Sequence, residues 1–281
     1  MGYGLWRSER PRRARSPTLG RIMAEGDTVH RTARRLGAAL AGQPVLDAVV
    51  PNPRSPLRSQ TARLTELRGG RLKLAEARGK HLLLHFEPGL VLHCHLGMRG
   101  SWQFHEPGSP WQRPRRGAWV VLSTATAEAA QFGGARLALR SEAELRSDPR
   151  IASLGPDLLD PDFQPSAGIA AFRARGQDRT LGEALLDQGV VAGVGNLYKS
   201  EGCFAASLDP WRAVSDLADA DLQRLLDALR ELMSAGLERG RQPRRVYRRA
   251  GLPCTRCGAP VRSYGQGDAN RITYWCRTCQ G

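Results

Sequence analysis

Four of the six cysteines form two matched pairs near the end of the chain. The pairs are Cys254 with Cys257 and Cys276 with Cys279, and 18 residues separate one pair from the other. Cys-x-x-Cys turns at this spacing are typical of a tetrahedral structural zinc site, because the intervening segment can form a hairpin that brings the turns together. A redox pair is the alternative, although two matched pairs exceed what redox chemistry needs. The sequence therefore predicts a zinc ribbon that holds one structural Zn²⁺.

A second candidate for chemistry is Ala24 with Glu25, directly after Met23. If translation starts at Met23 and this Met is removed, Ala24 gains a free α-amine, whose pKa of about 7.7–8.0 leaves a nucleophilic fraction near neutrality. Such an amine can form a Schiff base with a sugar carbon, and Glu25 could deliver or take the proton. The alternative is that the acidic residues here only cap a helix. If residues 1–22 stay attached, the Ala24 nitrogen is an amide and cannot react.

The charge of the chain indicates a polyanionic partner. Lys and Arg number 42 against 27 Asp and Glu, a formal charge of +15, and residues 241–281 hold nine Arg and one acidic residue. Nucleic acid is the commonest partner of such proteins, and a solvated basic surface or an Arg-rich coding bias is the alternative. The apolar runs fall far short of the roughly 20 residues of a membrane-spanning helix. We expect a cytoplasmic monomer that does not bind membranes.

The elements that position these residues divide the chain into four segments. Residues 1–22, with six Arg and no apolar stretch, are predicted to be a disordered or untranslated extension. Residues 23–140 begin with a helix capped by Asp27 and continue with short apolar segments separated by Gly and Pro, which is typical of an antiparallel sandwich or barrel. Residues 141–240 show helical patterns, and residues 241–281 form the basic ribbon. The strands are predicted at 45–50, 72–77, 81–86, 90–95, 118–122 and 136–139, and the helices of the second half at 142–146, 167–173, 180–186, 196–204 and 217–239.

Six short motifs follow one another from Ala24 to the C-terminus. They are 24–28 (AEGDT), 78–83 (RGKHLL), 95–100 (HLGMRG), 154–159 (LGPDLL), 185–188 with 191–198 (LLDQ and VAGVGNLY), and 271–273 (RIT) with the cysteine pairs. This ordered set resembles the formamidopyrimidine-DNA glycosylase/endonuclease VIII family, and most closely its actinobacterial endonuclease VIII-like branch. The resemblance implies an α+β multidomain fold: an N-terminal antiparallel β-sandwich with a leading helix, a helical domain with a helix–two-turn–helix element, and a C-terminal zinc ribbon.

The resemblance also implies catalytic roles. Ala24 stands where the family usually has Pro as the imine-forming nucleophile, and a primary amine can still form an imine. Glu25 matches the proton donor, and Lys80 matches the lysine that promotes β-elimination and contacts phosphate. Arg271 matches the ribbon arginine that grips the phosphate beside the lesion and assists δ-elimination, a contact that suits the guanidinium group. The alternatives are a solvated charge at the start of a strand for Lys80 and an ordinary basic surface for Arg271.

Further residues match the family's DNA contacts. Asn196 belongs to the helix–two-turn–helix element, where Gly193 and Gly195 let the backbone approach phosphate beside a helix N-terminus. Met98 matches the apolar wedge that fills the gap left by an extruded nucleotide. The alternatives are a tight inter-helix turn for the glycines and a core position for Met98. The 8-oxoguanine branch of the family carries an Arg and a Phe on a second loop, and Phe132 could correspond to this Phe. No Arg precedes Phe132, which disfavours 8-oxoguanine, and the Glu-Gly-Asp start favours oxidised pyrimidines.

Together these features predict a base-excision-repair DNA glycosylase with abasic-site lyase activity. The enzyme would remove oxidised bases through a Schiff base and nick the DNA by β,δ-elimination, and its partner would be double-stranded DNA that contains oxidised bases or abasic sites. The alternative is a damaged-DNA or abasic-site binding protein on the same fold, with catalysis weakened by Ala24 or blocked by the extension. An unrelated zinc-ribbon nucleic-acid module is the third possibility, which the ordered motifs disfavour.

Overall fold

A leading helix and two antiparallel sheets form the first part of the protein. The structure is a computed structural model that describes residues 24–87, 89–240 and 244–281, so the predicted extension at 1–22 lies outside the described residues. The elements of this part are α1 (Gly26–Leu40), β1 (Asp47–Val49), α2 (Thr61–Leu64), β2 (Leu72–Arg78), β3 (His81–Phe86), β4 (Leu90–His95), β5 (Ser101–His105), β6 (Val120–Ser123), β7 (Glu128–Phe132) and β8 (Arg136–Ser141). One sheet has the order β1-β6-β7-β5 and the other β2-β3-β4-β8, with antiparallel pairing throughout.

The core of the β-sandwich is built from α1 and the inward faces of both sheets. Val29, Ala33, Leu36 and Leu40, spaced by three or four residues, form the buried stripe of α1, as their helical spacing predicts. The N-cap prediction is wrong, because the helix begins at Gly26 and Glu25 is its cap. Glu25 takes the extended cap conformation, although its side chain makes no cap hydrogen bond to α1.

Two strands of the sandwich, β5 and β7, were not predicted from the sequence. The six predicted strands are present, and their ends differ from the prediction by at most two residues. The sequence of β7, EAAQF, contains two alanines, which favour helices in isolation. In the structure β7 lies between β5 and β6, and Ala129 and Ala130 are fully buried. Small side chains are accepted there because packing within the sandwich overrides intrinsic propensity.

The second part of the chain is helical. Its helices are α3 (Glu142–Arg146), α4 (Pro149–Ala152), α5 (Pro165–Ala171), α6 (Leu181–Ala184), α7 (Asn196–Ala205) and α8 (Asp219–Arg239). The long helix α8 buries an apolar stripe that includes Leu222, Leu229 and Met233. Helix α7 packs closely against it at Gly202, where a Cβ atom would lie 2.3 Å from Leu229 Cδ2. Glycine at this position therefore lets the two helices approach each other.

A two-stranded hairpin with two cysteine turns ends the chain. The strands are β9 (Arg262–Gln266) and β10 (Arg271–Trp275), followed by the short helix α9 (Arg277–Gln280). Cys254 and Cys276 are buried with Phe204, Val246 and Val261 in a small core between this ribbon and α7. The architecture confirms the predicted α+β fold of sandwich, helices and ribbon. Within the described ranges, every helix is too short or too polar to span a bilayer.

Candidate active site

The predicted site residues converge on one cavity of about 270 Å³ between the sandwich, α7 and the ribbon. Three predicted catalytic residues from the first part of the chain and one from the last part meet there. The lining residues are Ala24, Glu25, Lys80, His95, Gly97, Met98, Leu186, Gly195, Asn196 and Arg271. Gly193 and the four ribbon cysteines are not among the lining residues. The fold thus brings residues that are far apart in the sequence together around one cavity.

Glu25 is the acidic residue that lines the cavity, and it is buried. Its carboxylate accepts hydrogen bonds from the backbone N–H groups of Gly195 (2.9 Å), Leu197 (2.8 Å) and Tyr198 (3.2 Å). It therefore occupies the N-terminus of α7, where unpaired amides favour an anion. Burial nevertheless raises the pKa of Glu25 above its ordinary value, against the opposing effects of Lys80 and of the backbone amides. A carboxyl group with a raised pKa is suited to deliver a proton.

The glycines of the VAGVGN motif make room for this arrangement. A Cβ atom on Gly195 would lie 2.5 Å from the carboxyl carbon of Glu25. Gly193 adopts a φ of +91°, and its carbonyl oxygen accepts a hydrogen bond of 2.9 Å from the N–H of Gly26. The two glycines thus allow the loop before α7 to contact the start of α1 directly. In this structure the first amides of α7 bind Glu25, whereas the family resemblance predicts that this helix terminus faces DNA phosphate.

Lys80 is presented by a two-residue turn between β2 and β3. Arg78 pairs with His81 across the turn, and Gly79 has a φ of +58°. A glycine with positive φ at the first turn position is typical of type II′ hairpins, which explains the Gly-Lys sequence. Burial lowers the pKa of Lys80, Glu25 opposes this effect and Arg271 adds to it. A lysine with a lowered pKa exchanges protons more readily near neutral pH.

The LGPDLL motif fixes this turn through its aspartate. Asp157 Oδ2 accepts hydrogen bonds from the N–H of Gly79 (2.7 Å) and from His30 Nε2 (3.0 Å), and its Oδ1 accepts one from the N–H of Leu159 (2.9 Å). The carboxylate thereby ties α1, the β2–β3 turn and the helical part together. It borders a larger cavity of about 720 Å³ that contains none of the predicted site residues.

Ala24 and Met98 lie on the sandwich side of the cavity. The backbone nitrogen of Ala24 is 3.4 Å from the carbonyl oxygen of Gly97. Met98 follows in the turn between β4 and β5, and its side chain is 60 % exposed. Its exposure rules out the core position as the alternative for Met98 in this structure.

Asn196 and Arg271 form the opposite side, where α7 meets the ribbon. Asn196 Nδ2 donates a hydrogen bond of 2.7 Å to the carbonyl oxygen of Ile272, and its Oδ1 is buried without a partner among the described residues. Asn196 therefore ties the ribbon strand to the helix terminus. Arg271 is exposed at the first position of β10 and lines the cavity.

Sequence reasoning missed His95, which lines the cavity although it lies within the quoted HLGMRG motif. Its neighbours across β3 and β4 are also histidines, and His81 Nδ1 lies 2.8 Å from His93 Nε2. Burial lowers the pKa of His81 to about 3 and that of His93 to about 4, so both are neutral at physiological pH. Burial also lowers the pKa of His95. The available signal was the alternation of His81, His93 and His95 on neighbouring predicted strands.

Phe132 is buried and therefore differs from an exposed wedge. Its side chain is 1 % exposed and packs with Ala118, Val121 and Ala130. The guanidinium carbon of Arg113 lies 4.1 Å from the centre of its ring. The loop before β6 thus covers Phe132 in this structure.

The four ribbon cysteines fit a tetrahedral metal. Their Sγ atoms all lie within 4.8 Å of one another, with 3.9 Å between Cys254 and Cys279 and 3.5 Å between Cys257 and Cys276. A tetrahedron with metal–sulfur bonds of about 2.3 Å has sulfur–sulfur edges of about 3.8 Å. This group could therefore hold a metal ion. Cys94 and Cys203 are buried elsewhere, and burial raises the pKa of each thiol to about 12, which is typical of unreactive cysteines.

Comparison with known families agrees with this geometry. Residues 23–150 match the formamidopyrimidine-DNA glycosylase N-terminal domain, and residues 154–247 match the formamidopyrimidine-DNA glycosylase H2TH domain. The chain belongs to the formamidopyrimidine-DNA glycosylase/endonuclease VIII family. The predicted class, a DNA glycosylase with abasic-site lyase activity, is thereby confirmed at the level of the family.

The similarity to individual proteins extends over most of the chain. A probable endonuclease 8 2 of Streptomyces coelicolor is 42% identical over 275 residues, which cover 92% of this chain and 94% of the relative. A DNA-(apurinic or apyrimidinic site) lyase Nei2 of Mycolicibacterium smegmatis is 35% identical and covers 92% of this chain and 99% of its own. The fold matches Lactococcus lactis Fpg, solved with DNA that contains an abasic site, at a TM-score of 0.77 and 23% identity over 91% of this chain and 99% of that one.

Proposed function

We propose that the protein excises oxidised pyrimidines from double-stranded DNA through the α-amine of Ala24 and then cleaves the strand. One observation carries the proposal: Ala24, the buried Glu25, Lys80 and Arg271 line the same cavity. The proposal requires a chain whose first residue is Ala24. The match to the family's N-terminal domain, which begins at residue 23, supports this requirement.

The chemistry follows from the positions of these groups. The amine forms a bond to C1′ of the flipped nucleotide while the bond from C1′ to the base breaks, and the base leaves with a proton that Glu25 supplies. The nitrogen then loses a proton, its lone pair forms the C1′=N bond, and the C1′–O4′ bond of the sugar ring breaks as O4′ takes up a proton. The resulting Schiff base makes the C2′ proton acidic. Loss of that proton breaks the C3′–O bond, and Lys80, with its lowered pKa, is the group proposed to promote this β-elimination. Arg271 holds the flanking phosphate and assists departure of the second phosphate by δ-elimination.

The selectivity proposed here rests on the residues that face the DNA. Exposed Met98 would fill the gap left by the extruded nucleotide, because an apolar wedge between base steps offsets lost stacking. Buried Phe132 offers no second wedge in this structure, which supports oxidised pyrimidines over 8-oxoguanine.

We further propose that Cys254, Cys257, Cys276 and Cys279 hold one structural Zn²⁺. The four-sulfur donor set and its near-tetrahedral spacing support zinc, and closed sites of this kind contribute folding energy rather than catalysis. Here the cysteine turns flank β9 and β10, so the metal would stabilise the hairpin that carries Arg271.

The test compares two forms of the protein on a duplex that contains one oxidised pyrimidine. The first form begins at Ala24, and the matched control retains Met23, so the Ala24 nitrogen is an amide in the control and an amine in the first form. We expect base release and β,δ-elimination products from the first form alone, with both forms binding the duplex. Equal cleavage by both forms would contradict the proposed nucleophile.

A second candidate function is damage binding without cleavage. The residue that favours it is Ala24, since this chain offers a primary amine where the family usually has proline. Tight binding of abasic-site DNA by the form that begins at Ala24, without cleavage over hours, would support this candidate and exclude the enzyme.

A further inference from the structure

Four side-chain hydrogen bonds form a continuous chain between the helical part and the ribbon. Lys199 Nζ donates to Thr273 Oγ1 (2.6 Å), and Thr273 Oγ1 donates to Gln266 Oε1 (2.6 Å). Gln266 Nε2 donates to Thr180 Oγ1 (2.9 Å), and Thr180 Oγ1 donates to Glu183 Oε2 (2.5 Å). An ammonium group can only donate and a carboxylate can only accept, so both ends impose the same direction on every hydroxyl and amide between them. Aligned hydrogen bonds of this kind polarise and strengthen one another.

The chain holds both strands of the ribbon hairpin at the position of Arg271. Gln266 on β9 is the cross-strand partner of Arg271, and Thr273 follows Arg271 by two residues on β10. Cross-strand partners and residues two apart share one face of a sheet. The anchored side chains of Gln266 and Thr273 therefore flank Arg271 on its own face of the hairpin. Gln266 also donates to the carbonyl oxygen of Pro210 (2.8 Å), which fixes its orientation.

The same face of α7 continues this contact. Asn196, Lys199 and Ser200 are spaced as neighbours on one side of a helix. They bond in order to three consecutive residues of β10: Asn196 to the carbonyl oxygen of Ile272, Lys199 to Thr273 Oγ1, and Ser200 Oγ to the N–H of Tyr274 (3.4 Å). These three hydrogen bonds fix where β10 lies along α7. Arg271 is the residue of β10 that comes directly before the three bonded residues.

A lysine at the centre of this interface is costly. Lys199 is fully buried, and Thr273 Oγ1 is the neutral acceptor that it contacts. Burial lowers the pKa of Lys199 to about 8, and Arg271 adds to the effect. The chain contains three lysines, Lys73, Lys80 and Lys199, against 39 arginines. A compact ammonium with one hydroxyl acceptor fits here, whereas the five donors of a guanidinium would be left unpaired.

We propose that Lys199 is a positioning residue that fixes Arg271 in the cavity through Thr273 and Gln266. The inference deepens the proposed function, because it rests on the role of Arg271 in strand cleavage. Lys199 is sealed from solvent and so touches neither DNA nor the reacting atoms. Its contribution is to hold β10 in register on α7 while the exposed end of the strand engages the phosphate.

The experiment is a double-mutant cycle on single-turnover cleavage of abasic-site duplex DNA at saturating enzyme. Lys199→Met and Thr273→Val remove the ammonium and the hydroxyl at nearly constant volume, Thr273→Ser restores the hydroxyl, and Lys73→Met is the control at an exposed lysine. We expect Lys199→Met and Thr273→Val to slow δ-elimination about tenfold, with recovery in Thr273→Ser and no change in Lys73→Met. In the Arg271→Ala background, neither substitution should slow the reaction further.

Two results separate the inference from the function on which it rests. If Arg271→Ala leaves the rate unchanged, the role given to Arg271 is wrong. If Arg271→Ala slows the reaction but Lys199→Met slows it by the same factor in both backgrounds, Lys199 does not act through Arg271 and the positioning role is overturned. A lower melting temperature in Lys199→Met without any change in rate would overturn it as well.

Discussion

Asp157→Ala tests whether the helical part holds the catalytic lysine through one carboxylate. The Asp157 side chain is 11% exposed and accepts hydrogen bonds from two backbone N–H groups, those of Gly79 and Leu159, and from His30. Leaving a buried donor without its acceptor costs about 1–3 kcal/mol. The neighbouring 720 Å³ cavity admits water that can satisfy part of this loss. Two unsatisfied amides would together cost about 2–6 kcal/mol. Because water offsets part of this cost, we expect the free energy of unfolding to fall by about 2–3 kcal/mol.

The same substitution should also affect catalysis, because the Gly79 amide belongs to the turn that presents Lys80. The assay pairs urea denaturation with single-turnover cleavage of abasic-site DNA, and Asp162→Ala, at an exposed position of the same segment, is the matched control. We expect Asp157→Ala to slow β-elimination at least about tenfold, the scale on which misplaced catalytic groups act. A loss of stability no larger than that of Asp162→Ala would refute the hydrogen-bond reasoning. An unchanged rate in a destabilised protein would refute the link to Lys80.

Three further outcomes follow from the site. Cys254→Ser should release zinc and loosen the hairpin that carries Arg271. Atomic absorption should then find no zinc, and the dissociation constant for DNA should rise. Unchanged DNA binding by the metal-free protein would show that the ribbon is not part of the DNA interface. Base excision needs a protonated Glu25 and a neutral Ala24 amine. Its rate should therefore fall at high pH, where Glu25 loses its proton despite its raised pKa, and should also fall as the pH drops below the amine pKa of about 7.7–8.0. A pH–rate profile that keeps rising at high pH would argue against Glu25 as the acid. Gly195→Ala should abolish excision while the protein stays folded by circular dichroism, because the new Cβ would overlap the Glu25 carboxyl group; wild-type activity would show that this close approach is not required.

The sequence predicted those parts of the site that carry local patterns. The cysteine pairs are recognisable from spacing alone, and the apolar stripe of α1 follows from helical periodicity. The cavity residues Lys80, Asn196 and Arg271 were assigned through the ordered motifs, since no spacing rule joins them. The structure shows that all three residues line the same cavity.

Contacts between distant polar residues could not be predicted. Glu25 bonds to Gly195 across 170 positions, and Asp157 bonds to Gly79 across 78. A single buried carboxylate or ammonium has no periodic signature, so its partners become visible only when the fold brings them together. Lys199 illustrates this point, because within the VAGVGNLYKSE stretch it is indistinguishable from a solvated surface lysine.

The central claim is that the Ala24 nitrogen forms the covalent bond to DNA, and borohydride trapping with peptide mapping tests it most directly. The form that begins at Ala24 is reduced in the presence of abasic-site duplex, digested, and analysed by mass spectrometry for the residue that carries the sugar. The competing side-chain amines are limited to Lys73, Lys80 and Lys199, so the assignment is unambiguous. We predict an adduct on the N-terminal peptide alone. An adduct on a lysine peptide, or none under conditions in which the DNA is cleaved, would contradict the account.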